Sequence, residues 1–367
     1  MREIEVIRDA DRLGALGSEW DDLLARSAAD TVFLTWDWLW TWWEVYGDGT
    51  RPCVALVREA GRLVAAAPCK IEVRRHYGLT FRQLEFIGTG RAVWPDFLDF
   101  VIERGREAEL APALVDALAR ERGWDKLALT DMLETSPVRA PLTAALRAAG
   151  LRPRSENGTV CPYLRLPPTW AELEARLTHN FRRNHRKKRR RLDAVLVPWR
   201  GREDVGAAIA ALACLHQERM ESSGRGGNFG KPGYRAFHER FAGRAAGRGW
   251  LYLAFLERAG KPIAGRYGFL YRGTYYAYQC GFDPAAAEDS PGEVLLGMVM
   301  EDLIGRGAAE FNFLRGAEPH KLHWTDQRRQ TVRVDGWRRT TLSHAIALAD
   351  RVAAERRRLG RRFPVTA

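Results

Sequence analysis

Two carboxylates stand close together in an otherwise aromatic and apolar stretch. Asp96 and Asp99 lie within residues 94–102, which read WPDFLDFVI. Facing a cleft, one of them could act as a general base or accept a hydrogen bond from a sugar hydroxyl. Facing water, both would be ordinary turn residues. The sequence alone leaves these two interpretations open.

A second place for chemistry is the start of a predicted helix at residue 291. Ser290 is a favourable N-cap, Pro291 suits the first helical position, and Glu293 would complete a capping box with Ser290. The unpaired N–H groups of a helix N-terminus attract anions, so an acyl carrier with a pyrophosphate could dock there. The alternative is a capped helix that only packs on a sheet. The predicted cofactor-binding residues are Ser290, Gly292, Glu293 and Val294.

A third feature is a dense run of positive charge. Eight of the ten residues 182–191 are lysine or arginine, on a helix predicted to begin near Thr169. A run this dense encircles the helix, and its mutual repulsion favours a polyanionic partner. Candidate partners are tRNA, a nucleotide-sugar or lipid diphosphate, an anionic membrane surface and an acidic polysaccharide, and the alternative is a solvated basic face. Within the run, Arg182, Arg183 and Arg186 are expected to point into a cleft.

Composition limits the class of protein. The chain has 367 residues, 46% of them apolar, and a formal net charge of +12, which suits an anionic partner. Its five cysteines form no CxxC pair and no zinc-like spacing with histidine, so they are expected to be buried thiols in a reducing compartment, with no metal. The first ten residues carry charges throughout and no apolar segment, so a signal peptide is not expected, and no run approaches the roughly 20 apolar residues of a membrane helix. A cytoplasmic protein without a transmembrane segment is therefore expected.

The elements that must position these residues lie mainly within residues 250–324. Two strand-like runs are joined by a hairpin turn at 259–261, and a third strand follows a turn at 272–273. After the helix that begins at residue 291, a further strand is predicted at 310–314. Five tryptophans within residues 36–43 give another helix an aromatic face, which favours core packing over stacking on a sugar or base.

The chain also contains a degenerate repeat. Residues 57–65 resemble 256–264, and 118–129 resemble 302–313, in the same order. This pattern suggests two copies of one α/β unit, joined by a crossover at 153–168. The predicted divisions are an N-terminal lobe (1–160), a C-terminal lobe with the active site (161–345) and a basic C-terminal helix or tail (346–367).

Seven motifs together resemble one group of proteins. They are FLTW (33–36), NFRR (180–183), LHQER (215–219), GFDP (281–284), SPGEVLL (290–296), FLRG (313–316) and HKLHW (320–324). In this order, over roughly residues 20–325, they resemble the GNAT-fold acetyltransferases of bacterial cellulose and exopolysaccharide biosynthesis, the CelD type. These proteins are related to the Fem peptidyltransferases of peptidoglycan synthesis.

The resemblance implies a fold and an activity. The expected fold is α/β (α+β), with two tandem GNAT-like lobes, each a mixed central sheet flanked by helices. The expected reaction moves an acyl group from acetyl-CoA or another acyl-CoA to an amine or hydroxyl of a saccharide or cell-envelope precursor. Ordinary GNAT enzymes place a Gln/Arg-x-x-Gly-x-Gly/Ala loop before the pyrophosphate helix. This chain has AEDSPG at 287–292, followed by Glu293, whose negative charge opposes phosphate binding.

This interpretation assigns catalytic and substrate-binding roles to individual residues. His216, Asp283 and His320 are candidate bases, and Lys321 is a further candidate catalytic residue that, with Arg315, would bind a negative group. The predicted substrate-binding residues are Asp96, Asp99, Arg182, Arg183, Arg186, Arg219, Arg315 and Trp324.

Two other functions remain open. The first is a Fem-like transferase that takes an aminoacyl group from tRNA, with the basic helix as the docking surface. The second is a non-catalytic protein that binds an anionic polymer or a synthase partner. For the acyltransferase, the acceptor would be a saccharide or a nucleotide- or lipid-linked sugar.

Overall fold

The structure is a computed structural model that describes residues 1–76, 78–201 and 204–362, the last ten of them by backbone alone. The predicted basic tail at 346–367 continues a C-terminal helix that ends at residue 362, and its residues 363–367 lie outside the described residues.

The described residues form fifteen strands and twelve α-helices. The strands are β1 (Arg2–Ile7), β2 (Thr50–Pro52), β3 (Val54–Glu59), β4 (Arg62–Ala67), β5 (Cys69–His76), β6 (Leu79–Phe86), β7 (Val101–Ile102), β8 (Lys126–Leu133), β9 (Arg152–Arg165), β10 (Val195–Pro198), β11 (Leu251–Arg258), β12 (Lys261–Tyr271), β13 (Thr274–Phe282), β14 (Glu310–Asn312) and β15 (Arg328–Trp337). The helices are α1 (Ala10–Gly14), α2 (Gly17–Ala25), α3 (Trp36–Tyr46), α4 (Glu107–Arg120), α5 (Arg139–Ala148), α6 (Trp170–Arg176), α7 (His179–Leu192), α8 (Val205–Ser222), α9 (Tyr234–Gly247), α10 (Pro291–Gly305), α11 (Pro319–Leu322) and α12 (Thr341–Arg362).

The strands form two sheets. A four-stranded antiparallel sheet has the order β1-β3-β4-β7, and an eleven-stranded mixed sheet has the order β10-β11-β12-β13-β14-β9-β15-β8-β6-β5-β2. Two pairs in the large sheet are parallel, namely β6 with β8 and β13 with β14. Helix α4 lies in the connection between β6 and β8, and α10 in the connection between β13 and β14. Parallel neighbours require such a crossover.

The two parallel pairs identify two similar units. In each half of the chain, the second strand of an antiparallel hairpin is followed by a crossover helix and then by a parallel strand, which pairs with it over three residues. The predicted α/β fold with two tandem lobes, each built on mixed sheet and flanking helices, is confirmed.

Strands β9 and β15 join these units into one sheet. Residues 163–165 of β9 pair with β14, whereas its earlier residues pair with β15, which also pairs with β8. A strand from the C-terminal part of the chain therefore lies within the sheet of the N-terminal lobe. The predicted boundary at residue 160 falls inside β9.

The tryptophan-rich helix α3 lies in the core. Trp38 and Trp42 are fully buried, and the Trp38 ring packs edge-on against Phe33 and Phe237, each at a centroid distance of 4.8 Å. These rings therefore stabilise the packing of α3 against α9, as aromatic pairs in cores do.

Candidate functional site

A cavity of about 330 Å³ occupies the opening between β13 and β14. These parallel strands pair only over residues 274–276 and 310–312, and the chain segments that continue them then separate. Residues 277–280 of β13 line one side of the cavity, and residues 313–315, which follow β14, line the other. Leu296, in the first half of α10, also lines the cavity.

A β-bulge shapes the β13 wall. The consecutive residues Tyr267 and Gly268 of β12 pair with Gln279 and Ala277, so Tyr278 is an extra residue in β13. Bulges re-aim side chains and are frequent beside active sites. Here the Tyr278 hydroxyl lies 3.3 Å from the Trp94 carbonyl oxygen, which connects the C-terminal lobe to a segment of the N-terminal lobe.

Asp96, from that segment, lines the cavity and holds Arg315. The Arg315 Nη2 atom lies 2.8 Å from Asp96 Oδ1, 3.0 Å from Asp131 Oδ1 and 2.9 Å from the Pro95 carbonyl oxygen. Asp96 is almost completely buried, and this burial raises the pKa of its carboxyl although Arg315 opposes the shift. Both predicted substrate-binding residues thus lie at the cavity, where they bind each other.

Backbone strain concentrates at the same place. Phe97, Asp131 and Leu314 have positive φ angles of 58°, 62° and 56°. Such conformations cost a non-glycine residue roughly 1 kcal/mol or more and cluster at functional sites, where the surroundings enforce them. Phe97 follows Asp96, Leu314 precedes Arg315, and Asp131 is itself a partner of Arg315. The strained backbone therefore lies at the charged cluster of Asp96, Arg315 and Asp131.

Lys321 lines the cavity, but oxygen atoms surround its ammonium group. Its Nζ atom lies 2.6 Å from the Arg315 carbonyl oxygen, 3.1 Å from that of Gly316 and 2.9 Å from Glu318 Oε2. Because an ammonium has three hydrogens to donate, these three acceptors use all of them. This geometry suits a structural role, in which Lys321 stabilises the turn after β14.

His320 lines the cavity as well, at its rim. Burial lowers the pKa of its imidazole, and the nearby charges of Lys321, Arg266 and Arg219 lower it further against the opposing effect of Glu318. The imidazole is therefore neutral near pH 7 and has a lone pair that can accept a proton.

The other two candidate bases lie elsewhere. His216 is buried, with Nδ1 2.9 Å from the Cys280 carbonyl oxygen and Nε2 3.3 Å from the Asn228 backbone nitrogen, so both ring nitrogens have backbone partners. The Asp283 carboxylate accepts a hydrogen bond from the Ala285 N–H at 2.8 Å and caps the 3-10 helix Pro284–Asp289. Neither side chain lines the cavity.

Three polar side chains meet at the β13 wall of the cavity. Arg219, a predicted substrate-binding residue, lies on α8, and its Nη1 atom is 3.3 Å from the Cys280 Sγ atom. Arg266 of β12 pairs in register with Cys280. Burial alone would raise the pKa of the Cys280 thiol, but the charges of Arg266 and Arg219 outweigh it, and the pKa is lowered.

Arg266 and Cys280 were not among the predicted site residues. The available signal was an arginine in the middle of an otherwise apolar strand, opposite a cysteine in the next strand of the hairpin.

Two further predicted substrate-binding residues lie outside the cavity. Trp324 is buried in a second hydrophobic cluster, where its ring packs against Phe181 at 5.0 Å and His185 at 5.4 Å. Asp99 is buried in the N-terminal lobe and accepts hydrogen bonds from the Ser136 hydroxyl and, at 2.8 Å, the Phe100 N–H. Burial raises the pKa of Asp99 to about 7.

The basic helix α7 packs on the rest of the C-terminal lobe. Arg186 pairs with Glu174, Lys188 with Glu293 and Arg189 with Glu301, and Arg182 Nη1 is 3.5 Å from the Glu174 carbonyl oxygen. Arg182, Arg183 and Arg186 do not line the cavity. Much of this charge therefore attaches α7 to α6 and α10.

The N-terminus of α10 differs from its prediction in one respect. Ser290 has a φ of 54° and makes no side-chain capping hydrogen bond, so the predicted capping box does not form. The Glu293 carboxylate instead lies 2.7 Å from Lys188 Nζ, which neutralises its charge. Val294 is buried, and Gly292 leaves the first turn without a side chain.

Among the described residues, no group of three or more His, Cys, Asp or Glu side chains is arranged to hold a metal ion. None of their helices combines the length and apolar character that crossing a bilayer requires.

Residues 179–322 match the family described as Acetyltransferase (GNAT) domain. This match contains α7, the parallel pair β13–β14 and every C-terminal residue that lines the cavity. Residues 179–322 thus carry a GNAT acetyltransferase domain, and the prediction of a GNAT-superfamily acyltransferase is confirmed for this part of the chain.

Solved structures with a similar fold extend over both lobes. FemX has a TM-score of 0.60 at 9% identity, covering 90% of this chain and 96% of its own. The C-terminal domain of a putative lysylphosphatidylglycerol synthetase from Agrobacterium fabrum gives 0.56 at 13% identity, covering 93% and 96%. A conserved protein of unknown function from Bacteroides thetaiotaomicron gives 0.56 at 14% identity, covering 92% and 100%. No curated protein sequence matches significantly. At these identities the similarity shows the fold alone.

Proposed function

We propose that this enzyme transfers an acyl group, with acetyl as the first choice, from acyl-CoA to an amine or hydroxyl of a saccharide or cell-envelope precursor. The observation that carries the proposal is the opening between β13 and β14, where a neutral histidine and several positively charged side chains lie beside a strand edge. The active site belongs to the C-terminal lobe, for which residues 161–345 remain the proposed extent.

The chain's own residues suit such a reaction. Beyond residue 276, β13 has no neighbouring strand on the β14 side in the described structure, and an extended chain that contains amides can lie along such an edge. Acyl-CoA supplies an activated carbonyl. His320 would accept the proton of the acceptor's amine or hydroxyl, and the Asp96–Arg315 and Lys321 contacts keep the cavity wall in place.

The start of α10 fits the phosphates of the donor. Lys188 neutralises Glu293, and Arg191 and Arg258 surround Asp289 just before the helix, at 2.9 and 3.1 Å. The carboxylates near this N-terminus are therefore balanced by cations, and the partial positive charge of the helix end remains favourable to an anion. Ser290, Gly292, Glu293 and Val294 mark the proposed docking turn.

The proposed acceptor class rests on two kinds of support. The order of the seven sequence motifs resembles the CelD type, which suggests an exopolysaccharide precursor. One similar structure is a domain of a putative lysylphosphatidylglycerol synthetase, so a lipid-linked acceptor at the cell envelope belongs to the same proposal.

Calorimetry and turnover test the donor and the base. Titration with acetyl-CoA should give a saturable heat, and CoA release should be stimulated by an amino sugar or a nucleotide-sugar. The variant His320→Gln should still bind acetyl-CoA but release CoA more slowly, whereas Arg122→Gln, a change at an exposed N-terminal-lobe residue, should behave as the parent. Absence of heat with acetyl-CoA and longer acyl-CoAs would exclude the proposed donor.

One observation favours a Fem-like transferase that uses aminoacyl-tRNA. Arg183, Lys187 and Arg190 fall on one face of α7 at helical spacing and are exposed, with no ion pair among the described residues. A free basic stripe of this kind suits a phosphate backbone. Charged tRNA should then bind with a steep salt dependence, and replacing all three residues by glutamine should flatten it. Salt-independent binding, or none, excludes this alternative.

A further inference from the structure

The cavity carries more positive than negative charge. The charged side chains that line it are Arg219, Arg266, Arg315, Lys321, Asp96 and Glu318. Arg315 pairs with Asp96 at 2.8 Å, and Lys321 pairs with Glu318 at 2.9 Å. Within the described part of the chain, the two remaining arginines have no carboxylate within ion-pair distance. Two arginines without a carboxylate partner therefore face the cavity.

Arg266 is the more unusual of the two. It is only 9% exposed, and its Nε atom has no hydrogen-bond partner in the described structure. Arg219 Nη1 contacts the Cys280 Sγ atom at 3.3 Å, and the Arg219 guanidinium lies over the Phe282 ring at 5.0 Å. A buried guanidinium without an anion is costly, because its desolvation is not offset. Such a group in a cavity wall is most simply explained by an anion that binds there.

These arginines lie on one wall of the cavity. Arg266 lies on β12 and Arg219 on α8, and both elements pack against β13, so these side chains reach the cavity from its β13 wall, whereas Arg315 and Lys321 follow β14 on the opposite wall. His320 lines the same cavity as the two arginines. An anion held by the two arginines would consequently belong to a molecule on the acceptor side of the proposed base.

We infer that Arg219 and Arg266 form a subsite for an anionic group, a carboxylate or a phosphate, on the acceptor. Anion binding at this subsite can be measured without turnover. Only the assignment of the anion to the acceptor rests on the proposed function. It narrows the substrate class to acceptors that carry a negative group near the amine or hydroxyl that is acylated. Planar guanidinium groups bind either anion through paired N–H donors.

Cys280 provides a chemical reporter inside the subsite. Iodoacetate is an anionic alkylating reagent and iodoacetamide is its neutral counterpart of nearly the same size. An anion subsite should accelerate alkylation of Cys280 by iodoacetate relative to iodoacetamide. Cys214 is exposed and serves as the reference thiol in the same chain, whereas Cys53, Cys69 and Cys161 are buried. Peptide mass spectrometry gives both rates at both thiols in one sample.

The rate ratio of iodoacetate to iodoacetamide should be about tenfold or more higher at Cys280 than at Cys214, as expected from one charge-assisted hydrogen bond. The ratio should fall toward the Cys214 value in Arg266→Gln and in Arg219→Gln, and remain high in Arg122→Gln. Acetate or inorganic phosphate, at constant ionic strength, should slow alkylation of Cys280 by competition. Stronger protection by one of them distinguishes a carboxylate from a phosphate subsite.

Equal ratios at the two thiols, or a high ratio that persists in both arginine variants, would overturn the inference. If neither reagent alkylates Cys280, thermal unfolding decides: acetate or phosphate must raise the Tm above that in chloride at equal ionic strength, and the increase must vanish in Arg266→Gln. If the Tm in acetate and in phosphate equals the Tm in chloride, the inference is overturned. These readouts do not depend on acyl transfer, so a positive result in an enzyme that is inactive with acyl-CoA would reject the proposed donor and leave the anion subsite standing.

Discussion

Arg315 and Asp96 link the two lobes across the cavity, with Nη2 of Arg315 2.8 Å from Oδ1 of Asp96. Asp96 follows β6 in the N-terminal lobe, and Arg315 follows β14 in the C-terminal lobe. The same guanidinium also reaches Asp131, so two N-terminal carboxylates fix one C-terminal arginine. This ion pair sets the position of the chain segment that carries His320.

Removing Asp96 should therefore weaken both stability and activity. Asp96→Ala leaves the half-buried Arg315 charge with one carboxylate fewer, and removing one partner of a buried pair costs about 3 kcal/mol. Urea denaturation should show this loss in the free energy of unfolding, and acyl transfer should fall with it. The control Asp116→Ala, at an exposed position of α4, should change neither. An unchanged unfolding midpoint for Asp96→Ala would contradict the structural role.

Activity should depend on pH through His320. Burial and the neighbouring cations lower its pKa, and the neutral form is the one that accepts a proton. The rate should consequently be constant near neutral pH and decline only as the pH falls below the ordinary histidine value of about 6.5. His320→Gln should lower kcat by roughly 10²–10⁴-fold, the usual contribution of a general base, and abolish this acidic limb. An unchanged acidic limb in the variant would assign it to another group.

Arg266→Leu should make the protein more stable while impairing recognition of the acceptor. The native arginine is buried without a counter-ion, so an apolar replacement removes an uncompensated charge and should raise the free energy of unfolding by about 1–3 kcal/mol. Thermal unfolding measures the gain, and KM for an anionic acceptor measures the loss. Arg122→Leu, at an exposed site, is the matched control. A destabilised Arg266→Leu protein would show that the arginine is needed for the fold.

Asp99 should give the fold a pH dependence that is unrelated to catalysis. Its pKa is raised to about 7 in the folded protein by burial, above the value of about 3.9 in an unfolded chain. The folded state therefore binds the proton more tightly, and stability should fall as the pH rises from about 4 to 7. Asp99→Asn should flatten this slope and be more stable than the parent at pH 8, by about 4 kcal/mol at most, since one pKa unit corresponds to about 1.4 kcal/mol. Equal slopes for both proteins would refute this assignment.

Lys70 should be essential to the N-terminal lobe. It is fully buried, with Nζ 2.7 Å from Glu72 Oε2 and in contact with Glu85, whose pKa is lowered because Lys70 and Arg74 outweigh the effect of burial. Lys70→Met leaves two buried carboxylates undercompensated and should cost about 3–5 kcal/mol. Lys261→Met, on an exposed hairpin turn, should cost almost nothing. Similar unfolding midpoints for the two variants would argue against the ion cluster as a stabilising element.

The sequence was informative where function depends on local order. A strand, a well-marked helix and another strand predict a parallel pair with its crossover, and the structure contains it as β13, α10 and β14. His320, Arg219 and Arg315 were selected from motifs, Asp96 was selected as a carboxylate in an aromatic stretch, and all four line the cavity. Their catalytic and binding roles stay predictions.

The sequence was less informative where function depends on distant partners. The charges of α7 suggested a polyanion, yet Lys188 and Arg189 find Glu293 and Glu301 more than 100 positions later. The sequence shows Arg266 as an arginine within an otherwise apolar strand, but the register of β12 and β13 was needed to place it opposite Cys280. The capping box at Ser290 matched a local pattern, but the left-handed backbone of this residue prevents it.

The insertion of β15 between β8 and β9 has a consequence for biosynthesis. When the first 160 residues emerge from the ribosome, the strand that must lie between these two has not yet been translated. The nascent N-terminal lobe must therefore wait with unpaired strand edges, which are prone to wrong pairing, until residues 328–337 follow. Maturation of the whole protein thus depends on one late segment, and the halves are not expected to be produced separately as well-behaved fragments.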